Sequence, residues 1–189
     1  ETGYKNLIKM VSLAFTEGFY SKPRIDKELL KENSEGLIAL SACLAGEIPR
    51  KLLNGDYNGA KESALWFDSV FGRDNFYIEL QDHGIMEQKR ILPEMLRLSN
   101  ETGIPLVATN DVHYTEKEDA KMQKVLICLQ TGKKLNEESP LEFKTDEFYL
   151  KSTDEMEQLF ARFPGAVENT VKIAEKCNFD FEFGVSKLP

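Results

Sequence analysis

Two side chains near the middle of the sequence could bind a metal ion together. Asp111 and His113 are separated by one residue. In an extended segment such residues point to the same side, roughly 6 to 7 Å apart along the chain. A carboxylate oxygen can bridge two cations, and a neutral imidazole nitrogen suits zinc or manganese. The alternative is an Asp that caps a turn and a His on the surface, since both roles are ordinary for these residue types.

Cys43 and His83 are two further residues of the ligand type. As a thiolate, Cys43 would be a soft ligand for zinc, whereas a buried thiol usually acts as a small apolar side chain. His83 could line the same site, or its imidazole could bond to backbone at a helix start. The chain has two histidines, and each follows an apolar run.

Three apolar runs predict strands that would bring these residues together. They cover residues 36–41, 76–80 and 105–109, and each is followed by one of the candidate residues. Segments of helical period separate the runs, and this alternation is typical of a parallel α/β fold. In such folds the functional residues lie beyond the carboxyl ends of the strands. The sequence therefore predicts a site at these strand ends.

The helices are predicted from apolar residues that recur every three or four positions. The predicted ranges are 4–19, 57–71, 86–102, 115–130 and 164–177. Pro93 should kink the third of these helices or begin a second one there. Thr115 with Glu118, and Ser152 with Glu155, have the spacing of a capping box at a helix start.

In each of four predicted helices the apolar residues share one face. The second and fourth of these stripes are predicted to face the core, and Cys128 and Cys177 are interpreted as core residues. The predicted stripes are Leu7, Val11, Ala14 and Phe15; Ala60, Ala64 and Phe67; Ile91, Met95 and Leu98; and Met122, Val125, Leu126 and Leu129.

The composition excludes several classes of protein. Of the 189 residues, 32 are Asp or Glu and 24 are Lys or Arg, which gives a formal net charge of −8, and 41% are hydrophobic. The chain is too apolar to be disordered, and it has no apolar run that could span a membrane. The negative charge argues against a module that binds nucleic acid by itself, because phosphate affinity comes largely from Lys and Arg. Three widely spaced cysteines do not suggest a disulfide framework and favour a reducing, cytoplasmic location.

Several long motifs resemble a known family and follow its order. They are ETGYKNL at residues 1–7, EGFY at 17–20, KPRID at 22–26, GLIALSACLAGE at 36–47, VATNDVHY at 107–114, QTGK at 130–133, FYLKS at 148–152, ENT at 168–170 and LP at 188–189. These motifs resemble the polymerase and histidinol phosphatase (PHP) domain of bacterial DNA polymerase III alpha subunits. The resemblance covers essentially the whole chain.

The resemblance implies a fold and a metal site. The fold would be the carboxyl-terminal portion of a distorted barrel of seven βα units, at residues 1–132, with a helical extension toward the polymerase core at residues 133–189. Cys43, Asp111 and His113 would be metal ligands, and His83 would line the site. The intact family domain holds up to three zinc or manganese ions, and its other ligands would precede Glu1.

A fragment of this kind should have an incomplete metal cluster and an unpaired sheet edge. We therefore expect it to dimerise, or to depend on the missing amino-terminal strands. Its other implied partners are DNA, through the parent polymerase, and further replisome subunits. No membrane partner is expected.

The resemblance also implies an activity for the intact domain. This is metal-dependent hydrolysis of phosphodiesters, with Asp111 and His113 as catalytic residues, which would remove nucleotides from a 3′ end as a proofreading exonuclease. The fragment by itself is expected to be inactive. Two alternatives remain: a stand-alone PHP phosphatase that acts on a small phosphate monoester, and a scaffold that holds the polymerase and its proofreading partner.

Overall fold

A small parallel sheet forms the centre of the fold. The computed structural model describes residues 1–137, 141, 143–178 and 183–186. Its strands are β1 (Ala39–Leu40), β2 (Phe76–Leu80) and β3 (Leu106–Ala108), in that order and all parallel. The three predicted strands are therefore confirmed, although β1 and β3 are shorter than their apolar runs. The chain is a mixed α/β fold, consistent with part of a PHP barrel.

Helices make up most of the remaining regular structure. Their bounds are α1 (Thr2–Thr16), α2 (Lys27–Glu32), α3 (Glu47–Leu53), α4 (Tyr57–Phe71), α5 (Met86–Thr102), α6 (Ala120–Thr131), α7 (Thr153–Leu159) and α8 (Glu168–Lys176). A 3-10 turn at Lys117–Asp119 leads into α6. None of these helices is both long and apolar enough to cross a membrane.

Strand β2 is buried on both faces. Phe76, Ile78 and Leu80 have at most 1% of their surface exposed, because β1 and β3 flank the strand and helices cover the sheet. This environment explains its nearly continuous apolar sequence. Ala39 pairs with Phe76, and Ile78 pairs with Leu106. Since all three strands are parallel, their carboxyl ends open at the same edge of the fold.

The outer edge of β3 is covered by the chain around the start of α8. The Ala108 N–H donates to the Ala166 carbonyl across 2.8 Å. The buried Asn169 side chain donates to the Leu106 carbonyl across 2.7 Å. On the other side of the sheet, β1 is the last strand in the described part of the chain. The two edges of the sheet therefore differ.

The predicted stripes of α4 and α5 are confirmed. Ala60 and Ala64 are fully buried, Phe67 packs against the core, and Ile91, Met95 and Leu98 have at most 4% of their surface exposed. Helix α5 continues through Pro93, so no second helix begins there. It ends where Gly103 adopts a left-handed conformation with φ of 74°, a geometry that glycine reaches without steric cost.

The helix predicted at the start of the chain is confirmed as α1, but most of its apolar stripe is exposed. Leu7, Val11 and Phe15 are 45%, 49% and 59% exposed, and of the predicted stripe Ala14 alone is buried, together with the unpredicted Met10. Apolar residues occupy more than one side of this helix, and the described residues pack against the side that carries Met10 and Ala14. Periodicity identifies a face that avoids water, but it does not identify which neighbour covers that face.

The predicted inner stripe of helix α6 is mostly wrong. Met122, Leu126 and Leu129 are exposed, whereas Ile127 and the predicted core residue Cys128 are buried. Cys177 is exposed, so its prediction as a core residue is wrong. It lies at the C-cap of α8, beyond the last helical turn.

The helix starts are partly as predicted. The capping box of Ser152 and Glu155 is confirmed at α7. Before α6 the box is formed by Glu116 and Asp119, one residue later than Thr115 and Glu118, because the 3-10 turn starts at Lys117. The last helix begins at Glu168 instead of residue 164.

The region predicted as an extension, residues 133–189, contains α7 and α8. Its residues 138–140, 142, 179–182 and 187–189, including the last motif of the resemblance, lie outside the described part. The apolar run at residues 148–150 contributes one parallel bridge, between Tyr114 and Tyr149.

Candidate metal site

The carboxyl ends of β2 and β3 bring His83, Asp111 and His113 together. The Asp111 backbone N–H donates to Nε2 of His83 across 3.0 Å. The Oδ1 atom of Asp111 lies 3.1 Å from Nε2 of His113. These contacts link three residues from two strand ends, the first through the Asp111 backbone and the second through the side chains of Asp111 and His113. The structure thus gathers three of the four residues singled out in the sequence.

Asp111 and His113 both reach the surface. Their side chains are 46% and 37% exposed. The His113 backbone N–H donates to the Phe148 carbonyl across 2.8 Å, which holds the segment that carries the pair. A carboxylate oxygen and an imidazole nitrogen therefore stand side by side at the solvent boundary. Such a pair can contribute two donor atoms to a cation, or exchange a proton between its members.

His83 is buried, with 1% of its surface exposed. Its Nε2 accepts the Asp111 N–H, and the side-chain nitrogen of Gln88 lies 3.2 Å from its Nδ1. Burial is the main reason that the pKa of His83 is lowered, and the positive charge of Lys151 lowers it further. The ring is therefore neutral near pH 7, and both of its nitrogens contact protein groups. In this arrangement Nε2 of His83 is bonded to the Asp111 backbone N–H and is not offered to a metal.

Aromatic side chains that the sequence analysis missed form one wall of the site. Phe148 stacks on His83 with 4.5 Å between ring centroids and an interplanar angle of 6°. The same ring meets His113 edge-on at 5.7 Å, and Phe143 contacts His113 at 4.6 Å. The wall therefore fixes both histidine rings. Its sequence signal is the pair of phenylalanines that flanks the charged stretch before Tyr149.

Cys43 follows β1 in a turn where Ala42 has a positive φ of 66°. The residue is exposed, so the interpretation as a buried apolar side chain is wrong. It lines a small cleft together with Glu79 and Gln81. Within the described residues, no three His, Cys, Asp or Glu side chains are close enough to hold one metal ion. The structure therefore does not join Cys43 to Asp111 and His113 around a shared position.

The donor set of this chain fits part of a metal site. Catalytic zinc sites use three protein ligands and structural sites use four. Asp111 and His113 provide two donors of types that zinc and manganese accept. The described residues thus supply fewer ligands than a closed site needs, and further ligands must come from elsewhere for an ion to be held firmly.

A second polar network lies on the sheet beside the pair, and the sequence analysis missed it. The Glu79 carboxylate on β2 accepts hydrogen bonds from Thr109, at 2.5 Å, and from Gln81, at 3.2 Å. The Glu79 backbone N–H donates to the Ser41 hydroxyl across 2.9 Å. The network therefore ties the ends of all three strands together. The signal that could have revealed it is the single charged residue within the apolar run of β2.

Comparison with known proteins shows what this chain is similar to. Residues 1–83 match the family described as PHP domain. The chain is also 52% identical over 178 residues to the DNA polymerase III subunit alpha of Treponema pallidum. Residues 1–83 are thus similar to the PHP family, and the chain is similar to DNA polymerase III alpha subunits. The PHP match includes Cys43 and His83 and ends before Asp111 and His113.

Similarity to polymerase III alpha subunits extends across nearly the whole chain. The subunit from Borreliella burgdorferi is 50% identical over 182 residues, and that from Thermus aquaticus is 43% identical over 187 residues. With the Treponema pallidum subunit included, the alignments cover 94% to 97% of the chain. Alignments of this length include Asp111 and His113. The chain spans about 15% of the length of these relatives.

Proposed function

We propose that this chain is part of the PHP domain of a replicative DNA polymerase, and that the intact domain is a metal-dependent 3′–5′ exonuclease. The observation that carries the proposal is the Asp111–His113 pair. It lies at the carboxyl ends of parallel strands, where enzymes of this architecture place reacting groups. The proteins to which the chain is similar are named as DNA polymerase III alpha subunits.

In this proposal the residues of the chain act as ligands and as positioning groups. The Asp111 carboxylate, the His113 imidazole and the Cys43 thiolate bind metal, with the remaining ligands supplied from outside the chain. Zinc or manganese, up to three ions in the intact domain, would supply Lewis acidity toward the phosphodiester. The aromatic wall of Phe143 and Phe148 packs against the His113 ring and shields that side of it from water. The isolated chain, with its partial donor set, is inactive.

The proposal also covers the setting of the chain. Residues 1–132 would be part of a seven-unit βα barrel, and residues 133–189 would lead toward the polymerase core. DNA and other replisome subunits would meet the chain through the parent polymerase, in the cytoplasm. A strand from elsewhere in the same domain, or from a second copy of the chain, would pair beside β1, which is the last strand of the sheet in the described residues.

A scaffold role is the second candidate. It is favoured by one observation, which is that the described residues do not bring three ligand side chains to one position. In this case the domain would hold the polymerase and its proofreading partner together without chemistry of its own. A domain that lost its metal ligands but kept its fold would then still support full replication activity.

The decisive experiment substitutes Asp111→Asn in the full-length polymerase. We expect 3′–5′ exonuclease activity to fall by about 100-fold or more, and metal content, measured by elemental mass spectrometry, to fall as well. Removing a ligand should weaken binding more than the 10- to 100-fold typical of an outer-shell partner. Polymerase activity should persist. The matched control is Asp74→Asn, an exposed residue at the opposite end of β2.

Unchanged exonuclease activity and metal content in the Asp111→Asn enzyme would overturn the catalytic proposal and support the scaffold. A phosphatase would be indicated by hydrolysis of p-nitrophenyl phosphate that depends on Asp111, without hydrolysis of DNA.

A further inference from the structure

We propose that His83 is a positioning residue that fixes Asp111 for metal binding. The inference rests on the proposed function, because it assigns a role to a neighbour of the proposed ligand. Its basis is the hydrogen bond from the Asp111 backbone N–H to Nε2 of His83, at 3.0 Å. His83 thus acts on Asp111 through the backbone, and it does not contact the ion.

The imidazole of His83 is held from several directions. Phe148 lies parallel to the ring, with 4.5 Å between centroids. The Gln88 side-chain oxygen accepts the His83 backbone N–H at 2.8 Å. The Thr145 hydroxyl donates to the His83 carbonyl across 2.6 Å. A buried ring with these contacts has little freedom to rotate, so its Nε2 is a fixed point on the protein.

Asp111 needs such a fixed point because it lies outside regular structure. Strand β3 ends at Ala108, and the next helical turn begins at Lys117. Between these positions, the Asp111 N–H is held by His83 and the His113 N–H is held by the Phe148 carbonyl. Both ligand-bearing residues are therefore anchored through their backbone amides. The anchors also contact each other, since Phe148 stacks on His83.

This arrangement sets the direction of the Asp111 carboxylate relative to His113. The two side chains are 3.1 Å apart at their nearest atoms. Loss of the anchor would let the backbone at Asp111 move and would separate the two donors. Outer-shell groups that orient metal ligands typically change metal affinity by about 10- to 100-fold, and small displacements of reacting groups have large effects on rate.

The test compares two substitutions of His83 in the full-length polymerase. His83→Leu removes the acceptor for the Asp111 N–H. His83→Gln restores one, because its side-chain oxygen can occupy nearly the position of Nε2. We expect His83→Leu to weaken Mn²⁺ binding, measured by calorimetry, by about 10- to 100-fold and to lower the exonuclease kcat with KM for DNA unchanged. His83→Gln should stay within a few-fold of the parent enzyme.

Hydrogen–deuterium exchange of the peptide that contains Asp111 gives a readout that does not depend on activity. Exchange should accelerate in His83→Leu and remain slow in His83→Gln. The matched control for lost stability is Ile104→Val, a buried residue at the opposite end of β3. This variant should lower Tm without a change in metal affinity.

Three outcomes separate the inference from the proposed function. If His83→Leu binds Mn²⁺ like the parent enzyme while Asp111→Asn does not, the positioning role is wrong and the proposed function stands. If His83→Leu and His83→Gln lose affinity equally, the acceptor atom is not responsible and the inference fails. If Asp111→Asn keeps both metal and exonuclease activity, the proposed function itself fails.

Discussion

The Thr109 hydroxyl donates a hydrogen bond of 2.5 Å to the Glu79 carboxylate, which links the end of β3 to the middle of β2. Because this carboxylate is half-buried, losing a donor would leave it with less compensation for desolvation. We expect Thr109→Val to lower the free energy of unfolding by about 1–3 kcal/mol. Urea denaturation of the 189-residue chain measures this loss. Thr115→Val, at an exposed position, is the control and should have little effect; an equal loss in both variants would contradict the prediction.

Glu47 at the start of α3 should make the fold sensitive to acid. Burial alone would raise the pKa of Glu47, but hydrogen bonds from Ser63, Lys51 and Lys27 outweigh it and hold the pKa at about 2. A pKa that is lower in the folded state than its ordinary value of 4.5 gives stability that is complete above pH 4.5. This stability is lost as the pH falls toward 2.

Replacing Glu47 with Gln tests this contribution. At pH 7 the variant should be less stable by about 1 kcal/mol, a small value because the side chain is a third exposed and solvent screens the ion pairs. The difference from the parent chain should shrink between pH 4.5 and pH 2. Thermal unfolding at a series of pH values measures it, with Glu157→Gln on the exposed side of α7 as the control. A difference that stays constant with pH would refute the assignment.

The capping box of α7 predicts a specific loss of stability. The Ser152 hydroxyl accepts the Glu155 N–H, and the Glu155 carboxylate accepts the Ser152 N–H. Ser152→Ala should lower the free energy of unfolding by about 1 kcal/mol, and Ser152→Gly should lower it by less. Denaturant unfolding gives the values. Thr153→Ala, one residue further along, should differ little from the parent, and a similar loss there would show that the cap is not the cause.

The exposed apolar face of α1 predicts self-association of the isolated chain. Tyr4, Ile8, Val11 and Phe15 are between 47% and 64% exposed and recur at helical spacing. Ile8→Lys combined with Val11→Glu should shift the chain toward monomer in analytical ultracentrifugation, with an unchanged circular dichroism spectrum. Met10→Glu, on the buried side of the same helix, should instead prevent folding. If the parent chain is already monomeric at high concentration, this expectation is wrong.

The sequence predicted best those elements whose surroundings impose a simple pattern. Strand β2 was predicted at its observed residues because it is covered on both faces, so its apolar run begins and ends with the strand. Helices α4 and α5 also show one clear buried stripe. Helix α6 does not, because Met122 and Leu126 are as apolar as the buried Ile127. Periodicity alone could not choose between the two faces.

The candidate site shows a similar division between local and distant contacts. The approach of Asp111 to His113 depends on two positions in one extended segment, and the sequence predicted it. The bond between His83 and Asp111 joins residues 28 apart and depends on how β2 and β3 align. The bond between Glu79 and Thr109 depends on the same alignment. Strand register is not encoded in spacing along the chain, so the sequence could place His83 and Asp111 at neighbouring strand ends but could not predict either hydrogen bond.

The two edges of the sheet differ in whether a further strand can pair with them. At β3, the Ala166 carbonyl and the Asn169 amide already occupy backbone groups that another strand would use. At β1, the described part of the chain places no strand beyond Ala39 and Leu40. A further strand would therefore find backbone groups of β3 already bonded, whereas in the described residues no strand pairs with the outer side of β1. Whether such a strand comes from the same protein or from a neighbouring molecule, it should pair beside β1, and blocking the backbone of β1 should stop both kinds of assembly.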